Sequence, residues 1–275
     1  MADRDITVQY RGRIAIITLN QPDKRNSLNQ EQFYLLGERL RGAARHNEVA
    51  ITLLIGTGRF FSSGADVADL GTFMAAANRR DVLAGSLFNN IDLTRAFYTH
   101  PKILVVALNG PVVGFPAALI SFADFIYALP ESFLLVPFST LGLAAEGGAS
   151  RALKQRLGVA KAKEALLMSK RIPSGELLAC GFINKVIELT TPVSENAGSR
   201  SEEFLGKVLQ ELDHDLGSQL NDSSLLDIKQ QFCRDDINDF SHVTVQEAYM
   251  AVDKIMAGVP QEHMKKLARR TKSKL

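Results

Sequence analysis

Two cysteines, Cys180 and Cys233, are all that the sequence holds. That is too few for a disulfide framework or a four-ligand zinc site. Five histidines (His46, His100, His214, His242, His263) are scattered, with no two at i, i+4. Metal ligands need convergent spacing, so no metal is expected. No apolar run reaches the ~18–20 residues that a membrane-spanning helix needs. The N-terminal MADRDITVQY has no apolar stretch of the signal-peptide type. An excess of one charge is also missing. The 32 Lys+Arg against 30 Asp+Glu leave a formal net charge of +2, which gives no sign of a nucleic-acid or membrane-surface partner. Internal repeats and low-complexity tracts are absent. A reducing, soluble location is the expectation.

What is present suffices for a large core. Of 275 residues 46% are hydrophobic and 23% charged, so disorder as the main state is excluded. The first half reads as short strands alternating with helices. Ile6-Gln9 and Ile14-Leu19 flank Gly12 and predict a hairpin. Gln30 to His46 carries apolar Phe33, Leu36 and Leu40 at helical spacing. Ile51-Ile55, Ile103-Leu108, Phe125-Ala128 and Phe133-Val136 are strand candidates. Strands that are apolar throughout are buried on both faces, so the fold class is a layered α/β architecture. Farther on, Ala149-Leu157, Lys161-Ser169 and Ser174-Ala179 read as short helices. The polar stretch Thr190 to Ser201 reads as a linker. Glu202-His214, Asn221-Cys233, Val243-Met256 and Gln261-Arg270 then form a helical C-terminal region.

Three segments join a strand to a Gly-marked turn and a helix: TGRFFSSGADVADL from Thr57, LNGPVVGFPAALI from Leu108, and PFSTLGLAAEGGA from Pro137. Glycine lets backbone approach a ligand closely or take φ > 0. A helix opening after such a turn presents free N–H groups that stabilise a phosphate or an oxyanion. Each segment alone is also what a tight turn in an ordinary α/β fold looks like.

Together, in this order, the three segments resemble the crotonase (enoyl-CoA hydratase/isomerase) superfamily over roughly Ile6 to Ile187. The pattern is most similar to the fungal peroxisomal Δ3-Δ2-enoyl-CoA isomerases. The resemblance implies a crotonase-like spiral of ββα units with a helical C-terminal region. It implies a catalytic core over residues 1–190, a trimerisation region over 200–270, and assembly as a homotrimer or hexamer. The ligand implied is an acyl-CoA, with coenzyme A part of the substrate and no separate cofactor. The N–H groups of Ala65 and Phe115 match the family's oxyanion hole for the thioester oxygen. The two positions that match the hydratases' water-activating glutamates are Ala118 and Phe138, so that pair is missing. The dienoyl-CoA isomerases of the family use an Asp and a Glu near the third segment, where only Glu146 is found.

Glu146 matches the catalytic Glu of the Δ3-Δ2 isomerases; on residue chemistry alone it also suits a helix N-terminus. The expectation is a one-base mechanism. Glu146 takes a proton from C2 of a 3-enoyl-CoA, Ala65 and Phe115 hold the dienolate, and Glu146 returns the proton to C4. Two other readings stand beside it: 2-enoyl-CoA hydration, against which Ala118 and Phe138 speak, and a non-catalytic acyl-CoA-binding subunit, against which Glu146 speaks.

For the CoA moiety the resemblance points to Lys24, Arg25 and Ser27 in one loop and to Ser62 and Ser63 in another, with Gly64, Asp66 and Gly114 beside them. Lys24 and Arg25 read equally well as solvated loop charges, and Ser62 and Ser63 also fit loop residues that merely end a strand; Lys265 and Lys266 could reach a phosphate but read first as a solvated basic face. Asn89 and Asn90 could supply polar lining in the stretch that in the family covers the acyl tail, but they read first as ordinary helix positions. Ser273-Lys274-Leu275 is a peroxisomal import address, read by a receptor, which predicts a peroxisomal location.

Overall fold

Gly12 takes a φ of 54° and turns β1 (Ile6–Arg11) back onto β2 (Ile14–Leu19), so that Arg11 lies opposite Ile14 in an antiparallel pair. This is the hairpin that the sequence predicts, two residues longer in its first strand. The computed structural model describes residues 2–76, 78–85, 90–193 and 197–272, and its first helical turn is α1 (Ala2–Asp5). Helix α2 (Gln30–Arg45) begins with a capping box: Asn29 accepts from the Gln32 N–H, and the Gln32 side chain accepts from the Asn29 N–H. It buries Phe33, Leu36, Gly37, Leu40 and Ala43 on one face. Strand β3 (Ile51–Gly56) follows, then α3 (Val67–Ala76), α4 (Arg79–Gly85), α5 (Asp92–Tyr98) and β4 (Ile103–Leu108).

A second series of turns carries β5 (Val112–Val113), α6 (Phe115–Leu119), β6 (Phe125–Ala128), β7 (Phe133–Leu135) and α7 (Phe138–Leu141). Next come α8 (Ala149–Leu157), α9 (Val159–Met168), β8 (Ile172–Pro173), α10 (Ser174–Ala179) and β9 (Lys185–Val186). The chain ends in α11 (Ala197–Leu216), α12 (Asp222–Cys233), α13 (Asp236–Met256) and α14 (Val259–Lys272). The main sheet has the order β1-β2-β3-β4-β6-β9, and all its pairs after the hairpin are parallel. A small sheet, β5-β7-β8, stands beside it. Among the described residues no helix is long and apolar enough to cross a membrane.

Strand β4 explains the layering. Leu104, Val106 and Leu108 point to one face and pack with Phe33, Leu36, Phe97 and Phe115. Ile103, Val105 and Ala107 point to the other and pack with Phe204, Val208 and Leu212 of α11. All six residues are buried, as a parallel strand covered on both sides must be.

The polar stretch expected to be a linker is partly helix, because α11 starts at Ala197. The serine that made it look like a linker has a packing role. The Gly58 N–H donates to Ser201 Oγ at 3.0 Å, which ties the start of α11 to the turn after β3. Helix α13 likewise begins seven residues before the predicted Val243, and its added turns hold Arg151 of α8 through Asp236 and Asp239. Ser273-Lys274-Leu275 and Asn89 lie outside the described residues.

Candidate active site

The site is built where two turns meet behind the carboxyl ends of β3 and β4. Leu28 and Ala65 form an isolated parallel bridge, and so do Ser62 and Val112, so the loop after β3 is stitched to both its neighbours. Gly64 (φ 98°) and Gly114 (φ 68°) sit back to back at this junction. A Cβ built on Gly114 would meet Gly64 Cα at 3.9 Å, and one on Gly64 would meet Val113 O at 3.1 Å. Glycine is needed here for backbone conformation and for close approach.

Just past these glycines, Phe115 is the first residue of α6 and Ala65 follows Gly64. Among the described residues neither the Ala65 N–H nor the Phe115 N–H has an acceptor. Both residues line one cavity of about 100 Å³ with Phe33, Asn90, Leu143 and Glu146. From α13, Ala251 and Ile255 close its side.

Glu146 is half-buried, and its open part faces this cavity. Its Oε2 accepts one hydrogen bond, from Asn90 Nδ2 at 2.8 Å. Asn90 is fixed in turn by Thr94, whose buried hydroxyl donates to the Asn90 carbonyl. The Glu146 carboxyl is pushed up to about 7, mainly by burial. The Asn90 hydrogen bond acts against this shift, and the negative charge of Glu247 adds to it. A carboxyl poised near neutrality in an apolar cavity can take a proton and return it.

The other expected residues separate into groups. Asp66 lines the cavity, and its Oδ1 accepts from the N–H groups of Ala68 and Asp69 at the start of α3. Ser62 is fully buried: its hydroxyl donates to Asn26 O at 2.7 Å and accepts from the Gly64 N–H. Its side chain therefore holds the loop instead of facing a ligand, which corrects the expectation of a substrate contact. The Ser63 N–H donates to Arg25 O at 2.9 Å. Lys24, Arg25, Ser27 and Ser63 do not line the cavity; Arg25 is exposed and lies over the Phe60 ring at 5.6 Å. Lys265 and Lys266 are exposed on α14. Ala118 and Phe138, at the hydratase glutamate positions, are both buried in the core.

Sequence reasoning ranked Asn90 as an ordinary helix position ahead of a polar lining of the site, and it missed the contribution of α13. No local signal marks either, since Asn90 lies 56 residues from Glu146 and no local pattern joins them.

The enoyl-CoA hydratase/isomerase family model matches residues 9–252. The chain belongs to that family. It is 49% identical over 273 residues to a protein named Delta(3,5)-Delta(2,4)-dienoyl-CoA isomerase from Pyricularia oryzae, covering 95% of each chain. It is 34% identical over 214 residues to the 3,2-trans-enoyl-CoA isomerase of Saccharomyces cerevisiae, covering 75% of this chain and 74% of that one. Its fold is shared with an enoyl-CoA hydratase/isomerase structure from Pseudoalteromonas atlantica, with a TM-score of 0.81, 21% identity and 97% of each chain covered. The family's crotonase-like spiral is therefore the fold of this chain.

Proposed function

We propose that the protein moves a double bond of 3-enoyl-CoA to the trans-2 position, with Glu146 as the one acid–base group. The observation that carries this reading is the Glu146 carboxyl, raised to about 7 and held by Asn90, in a cavity that also presents two N–H groups with no acceptor among the described residues. Removing a proton α to a thioester builds negative charge on the carbonyl oxygen. The Ala65 and Phe115 amides would take up that charge, each such donor contributing about 2.7–4 kcal/mol. Glu146 would take the proton from C2 and hand it to C4, so atoms and charge balance without water. Water-activating carboxylates have no place at Ala118 and Phe138, which supports isomerisation over hydration.

A second reading, 3,5- to 2,4-dienoyl isomerisation, is favoured by the Pyricularia relative's name. That reaction moves a proton from C2 to C6, a longer path that suits two acid–base groups. The other carboxylates lining the cavity are Asp66 and Asp69, and each caps backbone amides through one oxygen: Asp66 Oδ1 accepts from Ala68 and Asp69, and Asp69 Oδ2 from the Gln30 N–H. The test is a spectrophotometric assay of 3-enoyl-CoA and 3,5-dienoyl-CoA side by side. A higher kcat/KM on the 3-enoyl substrate is expected; preference for the dienoyl substrate would replace the first reading with the second. Trans-2-enoyl-CoA should yield little 3-hydroxyacyl-CoA.

The tripeptide Ser273-Lys274-Leu275 supports peroxisomal import, which a fluorescent fusion with and without it would test. Exposed Ile228 and Phe232 on α12 and Tyr249 on α13 support assembly as a homotrimer or hexamer, measurable by sedimentation.

A further inference from the structure

We propose that Glu247 is a positioning residue for the reaction: from α13 it holds the amides of Gly148 and Ser150, just after Glu146, and so fixes the base itself. The proposal rests on the reading of Glu146 as the base.

Gly147 and Gly148 both take left-handed φ values, 73° and 71°. Neither tolerates a side chain. A Cβ on Gly147 would lie 2.9 Å from Phe115 Cε2, and one on Gly148 would lie 2.8 Å from Phe122 Cζ. Two successive glycines leave the segment beside Glu146 with little stiffness of its own. Helix α8 starts directly after them, and its N-cap, Gly148, has no side chain to take up the first amides. Those amides are satisfied from another helix. The Gly148 N–H donates to Glu247 Oε2 at 2.7 Å, and the Ser150 N–H donates to Oε1 at 2.9 Å. The residues are 99 and 97 positions apart, so this clamp is purely tertiary.

Glu247 is 5% exposed. A carboxylate at a helix N-terminus that accepts two N–H bonds is a strong, directional anchor. Thr244, Glu247, Ala251 and Ile255 follow one another at helical spacing on one side of α13. Thr244 and Glu247 face Gly148, while Ala251 and Ile255 line the cavity. One helix face therefore sets both the loop of the base and a wall of the site. Both oxygens of Glu247 are engaged, and it does not line the cavity, so it is not itself the acid or base.

The charged groups near Glu146 can be named from each side. Asp66 and Asp69 line the cavity across from it and cap backbone amides. Arg151 on α8 is held by Asp236 and Asp239. Glu247 is the charge that acts on Glu146, and it favours the protonated form.

The variant Glu247→Gln keeps the shape but loses the charge and one acceptor, turning an NH₂ group toward a backbone N–H. With 3-enoyl-CoA, kcat should fall about tenfold or more while KM stays within about twofold, as loss of an aligned charge-assisted bond implies. The acid limb of the kcat profile should move to lower pH, because a negative neighbour is gone. Glu247→Asp keeps the charge, so its rate should fall with the acid limb in place. Deuterium exchange on the wild-type protein supplies a readout independent of folding of the variants: the 146–150 segment should exchange slowly. Wild-type kcat with an unmoved acid limb in Glu247→Gln would overturn the proposal. So would exchange of 146–150 in the wild type as fast as in an unstructured loop. Glu146→Gln run alongside separates the two levels. If it stays active, the base assignment fails; if it is inactive beside a wild-type-like Glu247→Gln, only the positioning role fails.

Discussion

Buried ionisable groups lie at opposite ends of the parallel strands, and the two ends treat them differently. At the amino ends, Lys229 of α12 donates at 2.6 Å to Asp124 Oδ2 and at 2.6 Å to the Lys102 carbonyl. Asp124 also accepts from the Leu104 N–H. His100 bonds to Thr52 through Nε2 at 2.8 Å, and burial, reinforced by Lys229 and Lys102, lowers its pKa to about 3, so it stays neutral. Every charge in the Lys229–Asp124 pair is matched. Beyond the carboxyl ends, Glu146 has one neutral partner, Asn90, and an open side toward the cavity. A matched cluster holds α12 to the sheet, whereas an under-matched carboxyl keeps capacity for a proton. Ligands of open α/β sheets bind outside the carboxyl ends of the strands, which is where the under-matched group lies.

The sharpest way to break this contrast is to remove the carboxyl at one end and the ammonium at the other. Glu146→Gln should lower kcat by about 10²–10⁴-fold, the usual contribution of a positioned acid–base group. It should also stabilise the protein. A carboxyl raised from 4.5 to about 7 binds its proton more tightly folded than unfolded, so stability falls as pH rises from 4.5 to 7. Above pH 7 the amide variant should gain up to about 3 kcal/mol, and the gain should vanish below pH 4.5, as chemical denaturation would record.

Lys229→Met should do the reverse. Leaving Asp124 buried without its cation costs about 3–5 kcal/mol, seen as a lower denaturation midpoint, while turnover per folded molecule stays the same. If Lys229→Met removed activity from protein that remained folded, the division between the two ends would be wrong.

Asn90→Ala sharpens the picture on the catalytic side. Its hydrogen bond opposes the upward shift of Glu146, so its loss should move the acid limb of kcat to higher pH. The rate at pH 7 should fall about tenfold, in line with a hydrogen bond to a charged group at ~1.5–3 kcal/mol. A separate effect is expected in the wild type under acid. His100, lowered from 6.5 to about 3, is protonated only in the unfolded chain between those values. Stability should therefore decline as pH drops below 6.5, opposite in sign to the Glu146 effect, and His100→Gln should flatten that decline in a pH series of melts.

Much of the fold was legible because its signals are local. Ile103-Leu108 is apolar at every position, and burial on both faces follows from that alone. Gly12 between two alternating runs marks the hairpin, and the glycine-marked turns at Gly64 and Gly114 point to backbone used at close quarters. The start of α11 was missed because serine and arginine at a helix N-terminus look like loop composition. Ser201 is there for the Gly58 amide, a partner 143 residues away. Ser62 was misjudged for a related reason: a loop serine beside a binding motif looks ligand-facing until its burial is known.

From the order of residues alone came the layered α/β class, the three turn segments and Glu146 as the one carboxylate of the third. These depend on periodicity, backbone freedom and residue type, which neighbours in the chain settle among themselves. Only the packed molecule decided that Asn90 and Glu247 reach Glu146's loop, that Ser62 faces inward, and that Glu146 sits deep enough for its pKa to rise. Desolvation and hydrogen bonding between distant segments depend on what lies across space, and the linear sequence does not carry that information at any one position.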